Sequence, residues 1–543
     1  MPITADSVWK LVAVAIYAFV LLVIGYFASR GMRNIRDYFA AGKNLGFITA
    51  AFSARATGES AWLLLGLTGV GFAVGAQGFW IVLGEIIGVG GAWLFLARRF
   101  KRLSDKYDAI TMPDYLEGRL RDSGHTLRLI AAGALFVFVP IYAGSQIFAT
   151  GGAFHSFLGW NHFVGATVGF VVVLLYITRG GFVAVVWSDV FQGTLMGIGL
   201  VALPIVGILE AGGVTHILDA LRDVDPHLLT LHGPGPAPEV AEGMSYIEPV
   251  PSTGGWNALT ITTIIGFAAI GIGFLGSPQV FVRFIALRSE KEIRKGAAVA
   301  LLWTILADSG AVLVGMVGRG MYEWSQIAAK PGFVVAGDKE RILPFMAEEL
   351  LPSFLTGVFI AMVLSAIMST IDSLLVVASS AGVRDYWQKI KRPDLPDERL
   401  VRLSELVTLG LAMVAYAIGI GLLLNNRDKQ IFWVIIFGWS GIAATFCPTV
   451  ILSLFWRGLT ASGAKAAMFA GFLGVPFFAF AAGPALTAMG WDTAAAHLGA
   501  LDVLLPAFVV SFVVAVGVSL ADSKGRARLA GVEDELAEAG RRG

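Results

Sequence analysis

Residues 53–62 read Ser53-Ala54-Arg55-Ala56-Thr57-Gly58-Glu59-Ser60-Ala61-Trp62, a polar stretch broken by glycine inside an apolar run from about 46 to 75. A second run, from about 258 to 284, is interrupted by Gly271, Gly273, Gly276 and Pro278. A helix broken inside a bilayer frees carbonyls and helix-end dipoles, and such breaks are tolerated only where they line a cavity or bind something. Between the two interrupted runs lie four other apolar runs, so they stand five spans apart. An odd offset places them in opposite orientations. The expected architecture is an inverted five-plus-five repeat, spans two to six and seven to eleven, with one helix before it and two after.

Composition agrees with a membrane protein. Hydrophobic residues make up 56%, charged residues 15%, and mean hydropathy is +0.74, against roughly 45–50% apolar and 25% charged in soluble domains. On a criterion of ~20 apolar residues per crossing, about thirteen spans are expected, near 8–29, 46–75, 79–97, 127–154, 163–178, 183–209, 258–284, 296–319, 353–381, 403–424, 431–456, 464–484 and 501–521. The fifth and sixth are separated only by Arg179-Gly180-Gly181-Phe182. The first run lacks a basic region ahead of it and is followed by Arg30, Arg33 and Arg36, so it reads as a retained helix rather than a cleaved signal.

Orientation follows the short loops rich in Lys and Arg. Arg98, Arg99, Lys101, Arg102 and Lys106, then Arg288, Lys291, Arg294 and Lys295, then Arg384, Lys389, Lys391 and Arg392 all fall on one side, the predicted cytoplasmic one. This puts the N-terminus outside and the C-terminus in the cytoplasm. The expected divisions are 1–45 (first helix and cytoplasmic loop), 46–209 (first repeat), 210–257 (external loop), 258–456 (second repeat), 457–521 (two further helices) and 522–543 (a tail read as a short solvated helix).

The ninth span carries Ala366-Ile367-Met368-Ser369-Thr370-Ile371-Asp372-Ser373. An acidic side chain at bilayer depth costs on the order of 2.5–3.5 kcal/mol, and its first reading is an ion or substrate pathway. The hydroxyls of Ser369 and Thr370 read equally as a helix-to-helix hydrogen-bonding pair or as ion ligands. Other chemistry is missing: the scattered histidines have no zinc-ligand spacing, there is no Walker lysine motif, and Cys447 is the single cysteine. A net charge of +1 suggests no nucleic-acid partner, and no obligate protein partner is inferred.

The series Asp37-Tyr38, Gly42, Leu45-Gly46, Trp62-Leu63-Leu64, Met112-Pro113-Asp114-Tyr115, Trp187-Ser188-Asp189, Gly276-Ser277-Pro278, Met368-Ser369-Thr370, Pro448 and Trp456 resembles the sodium:solute symporter family, and within it the bacterial sodium/proline symporters. The resemblance implies an all-α integral membrane protein with a LeuT-like fold and discontinuous core helices. It implies a sodium site made of carbonyls at Ala56, Glu59 and Ala366 and hydroxyls at Ser369 and Thr370, oxygen ligands suited to a hard cation. It also places Asp189 near the ion sites, where some relatives support a second sodium with residues matching Ser369, Asp372 and Ser373. Asp372 stands where the family has a hydroxyl, and it could equally pair with Arg55.

For the solute, Trp62 and Tyr142 match aromatic positions of the family. The chain departs from it at Gly58, where proline transporters carry an acid, and at Ile270 and Phe274, where they carry an aromatic pair. Trp62, Tyr142, Phe274, Ser277 and Gly58 are the expected solute-site residues. The expected function is sodium-coupled symport of a small organic solute, L-proline first, by alternating access, with Na+ as the transported ion. The rivals are another solute (a different amino acid, a carboxylate or a vitamin), proton coupling, and a sensor that binds without transporting.

Overall fold

The computed structural model describes residues 5–30, 34–234, 254–322, 339–425 and 431–541, without the side chains of 176–180. Arg33, most of the second half of the 210–257 connection, and Arg542-Gly543 lie outside the described residues. The described residues are helical, with turns between helices and one isolated bridge.

In chain order the long helices are α1 (Ala5–Arg30), α2 (47–74), α3 (79–106), α4 (Thr126–Leu158), α5 (162–180), α6 (Gly181–Glu210), α7 (258–286), α8 (Lys291–Met321), α9 (Ser353–Lys391), α10 (Asp397–Asn425), α11 (Ile431–Phe455), α12 (Ala461–Ala488) and α13 (Leu504–Ala521). Among the described residues, 11 helical runs are long and apolar enough to cross a membrane, fewer than the thirteen spans expected. The difference has two sources. Helices α2 and α3 form one 60-residue run, and the apolar part of α5, His162–Leu175, is short of a span. The α2–α3 run nevertheless doubles back. Gly71 and Gly78 both lie against Val312 of α8, whereas Arg55 reaches Asp308 and Trp93 stands against Gly296. Helices α5 and α6 join at Gly181, whose φ of +48° is a conformation that only glycine takes without strain.

Helices α2 and α7 are the interrupted pair, and they run antiparallel. Leu45, just before α2, bridges Leu287, just after α7, with Leu45 N–H donating to Ala286 O at 2.9 Å and Arg288 N–H donating to Leu45 O at 3.0 Å. Further along, Ser53 meets Arg283 and Gly58 meets Phe274. Helix α7 tightens into a 3-10 segment over Ile270–Leu275 and restarts at Pro278. Helix α2 does not break at the expected Gly58. Its non-helical residue is Ser60, with φ +46° and ψ −168°. Gly58 stays helical, and its lack of a side chain makes room for the Phe274 ring, which a Cβ there would meet at 2.5 Å.

Helix α9 is buried among α1, α2, α4 and α6, and it carries its Ser369–Ser373 segment into the centre of the molecule. Helices α12 and α13 pack on each other and on α11 at one side. The C-terminal segment is not a freely solvated helix. Helix α14 (Val532–Gly540) buries Val532, Leu536 and Ala539, the one-face spacing of an amphipathic helix. Glu535 accepts from Tyr107 at 2.5 Å and from Arg121 at 3.1 Å, while Arg102 donates to the Glu538 and Ala539 carbonyls at 3.3 Å, closing the C-terminal end of α14.

Contact between α3 and α7 depends on missing side chains. A Cβ on Gly88 would stand 2.0 Å from Gly271 O, and one on Gly84 would stand 2.2 Å from Ala268 O. These are backbone atoms that cannot swing aside, so the helices approach as small-residue interfaces do in membranes. Gly88→Ala is therefore expected to destabilise the protein by about 1–3 kcal/mol, the usual cost of overpacking. Gly133→Ala, with nothing within 4 Å of the added Cβ, is expected to stay within about 0.5 kcal/mol. Thermal unfolding of both variants in detergent checks this, and equal melting temperatures would refute it.

Candidate ion and solute site

The break in α2 sets the chemistry. In a regular helix Ala61 N–H would donate to Thr57 O. Here it donates to Gln146 Oε1 of α4 at 3.1 Å, and Trp62 N–H donates to Ser60 Oγ at 3.3 Å. The carbonyls above the break find partners on α9. Ser369 Oγ donates to Ala56 O at 2.8 Å and to Ala366 O at 3.1 Å. Thr370 Oγ1 donates to Thr57 O at 3.0 Å and to Ala366 O at 3.1 Å. Four of the five predicted sodium ligands, Ala56, Ala366, Ser369 and Thr370, thus come together in one fully buried cluster of uncharged oxygens. The fifth is engaged elsewhere: Glu59 O accepts from Trp62 N–H, and Thr57 O stands in the cluster instead. A hard monovalent ion suits such an oxygen set.

One turn along α9, the predicted second-cation residues meet a side chain that the sequence reading did not single out. Arg283 of α7 donates to Asp189 Oδ2 at 3.1 Å, to Ser373 Oγ at 2.6 Å, to Thr57 Oγ1 at 2.6 Å and to Ser53 Oγ at 2.9 Å. All five side chains are fully or almost fully buried. The guanidinium stands among the oxygens that a second ion would use, next to Asp372, which accepts from Ser373 at 3.4 Å. Nothing local to Arg283 in the chain announced this, since its partners lie on three other helices.

Arg55 resolves the alternative left open by the sequence in favour of its own helix. It pairs with Glu59 one turn on, with Asp308 Oδ2 at 3.4 Å and with Glu85 Oε2 at 3.5 Å, under the rings of Phe274 and Trp303. All four charged side chains are fully buried. Three carboxylates face one guanidinium, and both Glu85 oxygens lack a hydrogen-bond donor among the described residues.

The solute-site residues are brought together in part. The Phe274 ring lies on Gly58, with Arg55 4.8 Å on one side and Trp439 5.0 Å on another. Trp62 donates through Nε1 to Gly58 O at 3.2 Å and packs on Phe432. Tyr142 stands against Gly438 of α11, and its hydroxyl lies toward Ser60. Ser277 turns away: its hydroxyl donates to Gly273 O at 2.6 Å beside Cys447. Trp439 was missed by the sequence reading. Its Nε1 donates to Ile270 O at 3.2 Å, so an indole from α11 fills in where Ile270 lacks a ring. The only signal was a tryptophan in the middle of an apolar span. Trp62, Tyr142 and Phe274 are all buried.

Two antiparallel interrupted helices, with buried uncharged oxygens at the break, are the architecture of a secondary transporter. The chain matches the sodium:solute symporter family over residues 38–471. It is 34% identical over 452 residues to the "High-affinity proline transporter PutP" of Bacillus subtilis, covering 83% of this chain and 88% of that one. It is 30% identical over 537 residues to the "Sodium/proline symporter" of Escherichia coli, covering 98% and 97%. A solved structure of a Na+-coupled sialic acid symporter in a substrate-bound outward-open state superposes with a TM-score of 0.70 at 18% identity, covering 93% of this chain and 97% of that one. The protein belongs to the sodium:solute symporter family. It is a multi-pass membrane transporter of LeuT-like fold and not an enzyme, and the ion it carries with its solute is Na+.

Removing one partner from a buried charge cluster leaves the others uncompensated, typically at 3–5 kcal/mol. Arg55→Met is therefore expected to cost at least about 3 kcal/mol and most of the folded yield. Glu85→Gln removes one of three negative charges and no hydrogen bond, and is expected to leave stability equal or higher. Melting curves in detergent decide between them; an Arg55→Met protein as stable as the wild type would refute the charge balance.

Proposed function

We propose that the protein imports L-proline, or a small amino acid of the same shape, together with sodium. The observation that carries this reading is the junction of α2 and α9, where Ser369 and Thr370 hydroxyls rest on carbonyls freed at the break. Sodium held by Ala56, Ala366, Ser369 and Thr370, with the Thr57 or Glu59 carbonyl as a further ligand, ties α2 to α9. That tie closes the outer side of the pocket around Trp62, Tyr142, Phe274 and Gly58, with Ser277 serving the backbone of α7 instead of the solute. The two curated relatives described above are named for proline, and the apolar wall of Phe274, Trp439 and Trp62 suits a compact ring.

Because Arg283 already supplies a positive charge beside Asp189, Asp372 and Ser373, these residues act in coupling by holding α7 to α2, α6 and α9 rather than by taking a second ion. The N-terminus faces outside the cell membrane and the C-terminus faces the cytoplasm, on the distribution of basic loops. The repeats are 46–209 and 258–456. Coupling to one sodium is energetically sufficient: one charge across ~100 mV yields about 2.3 kcal/mol, and a tenfold gradient adds about 1.4 kcal/mol. Together they hold a solute gradient of a few hundredfold.

Two measurements test this reading. Proteoliposomes with an inward sodium gradient should accumulate radiolabelled L-proline, and those with potassium or a proton gradient alone should not. Ser369→Ala and Thr370→Ala should each raise the sodium concentration for half-maximal uptake by about tenfold or more, equivalent to at least one charge-assisted contact of ~1.4 kcal/mol, with melting temperature changed little. Unaltered sodium dependence in both variants would remove the ion site from these residues.

A further inference from the structure

The inner face of α4 carries a polar group that neither the sequence reading nor the family comparison assigned. Gln146 is fully buried and lies four residues, one helical turn, beyond Tyr142 on the same face of the helix. Its Oε1 accepts Ala61 N–H at 3.1 Å. That bond also fixes which way the amide points, because a backbone N–H can face only the oxygen end. The Nε2 end is then a buried donor of two protons with no acceptor among the described residues.

An amide so clamped is not needed to seal the break. A water, a serine or any short acceptor would satisfy Ala61. What the long side chain adds is a donor, held rigidly beside the unwound turn one helical turn from Tyr142, whose hydroxyl lies toward Ser60. A buried donor is costly unless something accepts from it. Nearby groups that face the break are already engaged, Ser60 Oγ by Trp62 N–H at 3.3 Å. Trp62 and Trp439 are donors already spent on Gly58 O and Ile270 O, and the freed carbonyls of Ala56 and Thr57 are taken by Ser369 and Thr370. The three carboxylates nearest the break are gathered around Arg55, on the side of α2 that faces α3 and α8.

We propose that Gln146 is a specificity-determining residue of the solute site, its Nε2 donating to a carboxylate oxygen of the transported amino acid. This deepens the reading above and rests on it. Clamped by Ala61, Gln146 also reports on the break itself: the solute carboxylate is held by the same side chain that holds the restart of α2, so solute binding and the shape of the break are linked through one amide.

The experiment uses the full-length protein in proteoliposomes. Gln146→Glu keeps an oxygen for Ala61 N–H and replaces the donating NH2 with a carboxylate oxygen. Uptake of L-proline should then need at least tenfold more solute for half-saturation, and the preference for L-proline over L-prolinamide, which lacks the carboxylate charge, should fall at least tenfold. Sodium-induced thermal stabilisation should stay within twofold of the wild type. Gln146→Met, similar in length and apolar, should lose at least tenfold in apparent proline affinity without reversing the preference toward the amide. A folded Gln146→Glu protein with a wild-type preference ratio overturns the proposal. So does failure of both variants to fold, which would make Gln146 a clamp for Ala61 and nothing more. A wild-type protein that takes up no proline is a different failure, that of the solute identity proposed above, and it is seen before any variant is made.

Discussion

In a bilayer a backbone carbonyl cannot be left without a donor, and the structure turns on how the carbonyls at the α2 break meet that demand. Ser60 takes a conformation with positive φ. The carbonyls of Ala56 and Thr57 receive hydroxyls from α9, and the N–H of Ala61 receives an amide oxygen from α4. Three helices are thereby tied to one discontinuity. In the proposed ion site sodium takes over the oxygens that satisfy the backbone, because an ion and a hydroxyl proton both draw on the lone pairs of a carbonyl. A site of this kind binds weakly enough to release its ion. None of its ligands carries a formal charge, and its own hydroxyls can replace the ion when it leaves.

Charge is handled separately from ion binding, and on two opposite sides of α2. On the α6 and α9 side, Arg283 is satisfied by Asp189, Ser373, Thr57 and Ser53. On the α3 and α8 side, Arg55 faces Glu59, Glu85 and Asp308. Buried charges must be paired, so these clusters hold α2 in register with its neighbours while leaving its broken turn free of strong charge. The buried rings of Phe274, Trp439, Trp62 and Tyr142 lie close to the same break.

The departures from the proline-transporter pattern have a common geometric cause. Phe274 lies so close to Gly58 that a side chain there would meet its ring 2.5 Å away. An acid at position 58 and an aromatic at position 274 in this pose exclude each other. The carboxylate stands instead at Glu59, turned toward Arg55, and the indole that Ile270 lacks arrives from α11 as Trp439.

Hydropathy and the paired interruptions in α2 and α7 are local properties of the chain and determined the all-helical membrane fold and the inverted repeat, while the short motifs from Asp37-Tyr38 to Trp456 determined the family. Tertiary structure decided what depends on partners distant in sequence. Ser60 and not Gly58 carries the break, and Gly58 instead makes room for a ring 216 residues away, a constraint visible only once α2 and α7 are laid side by side. Arg283 among the second-ion residues, Trp439 in place of a ring at Ile270, and Gln146 on Ala61 each join helices whose contact no periodicity encodes. The docked α14 is another such case, since its apolar face reads the same whether it meets solvent, lipid or protein. A polar residue in an apolar span announces that it needs a partner; which partner it finds is set by the packing of the other helices around it.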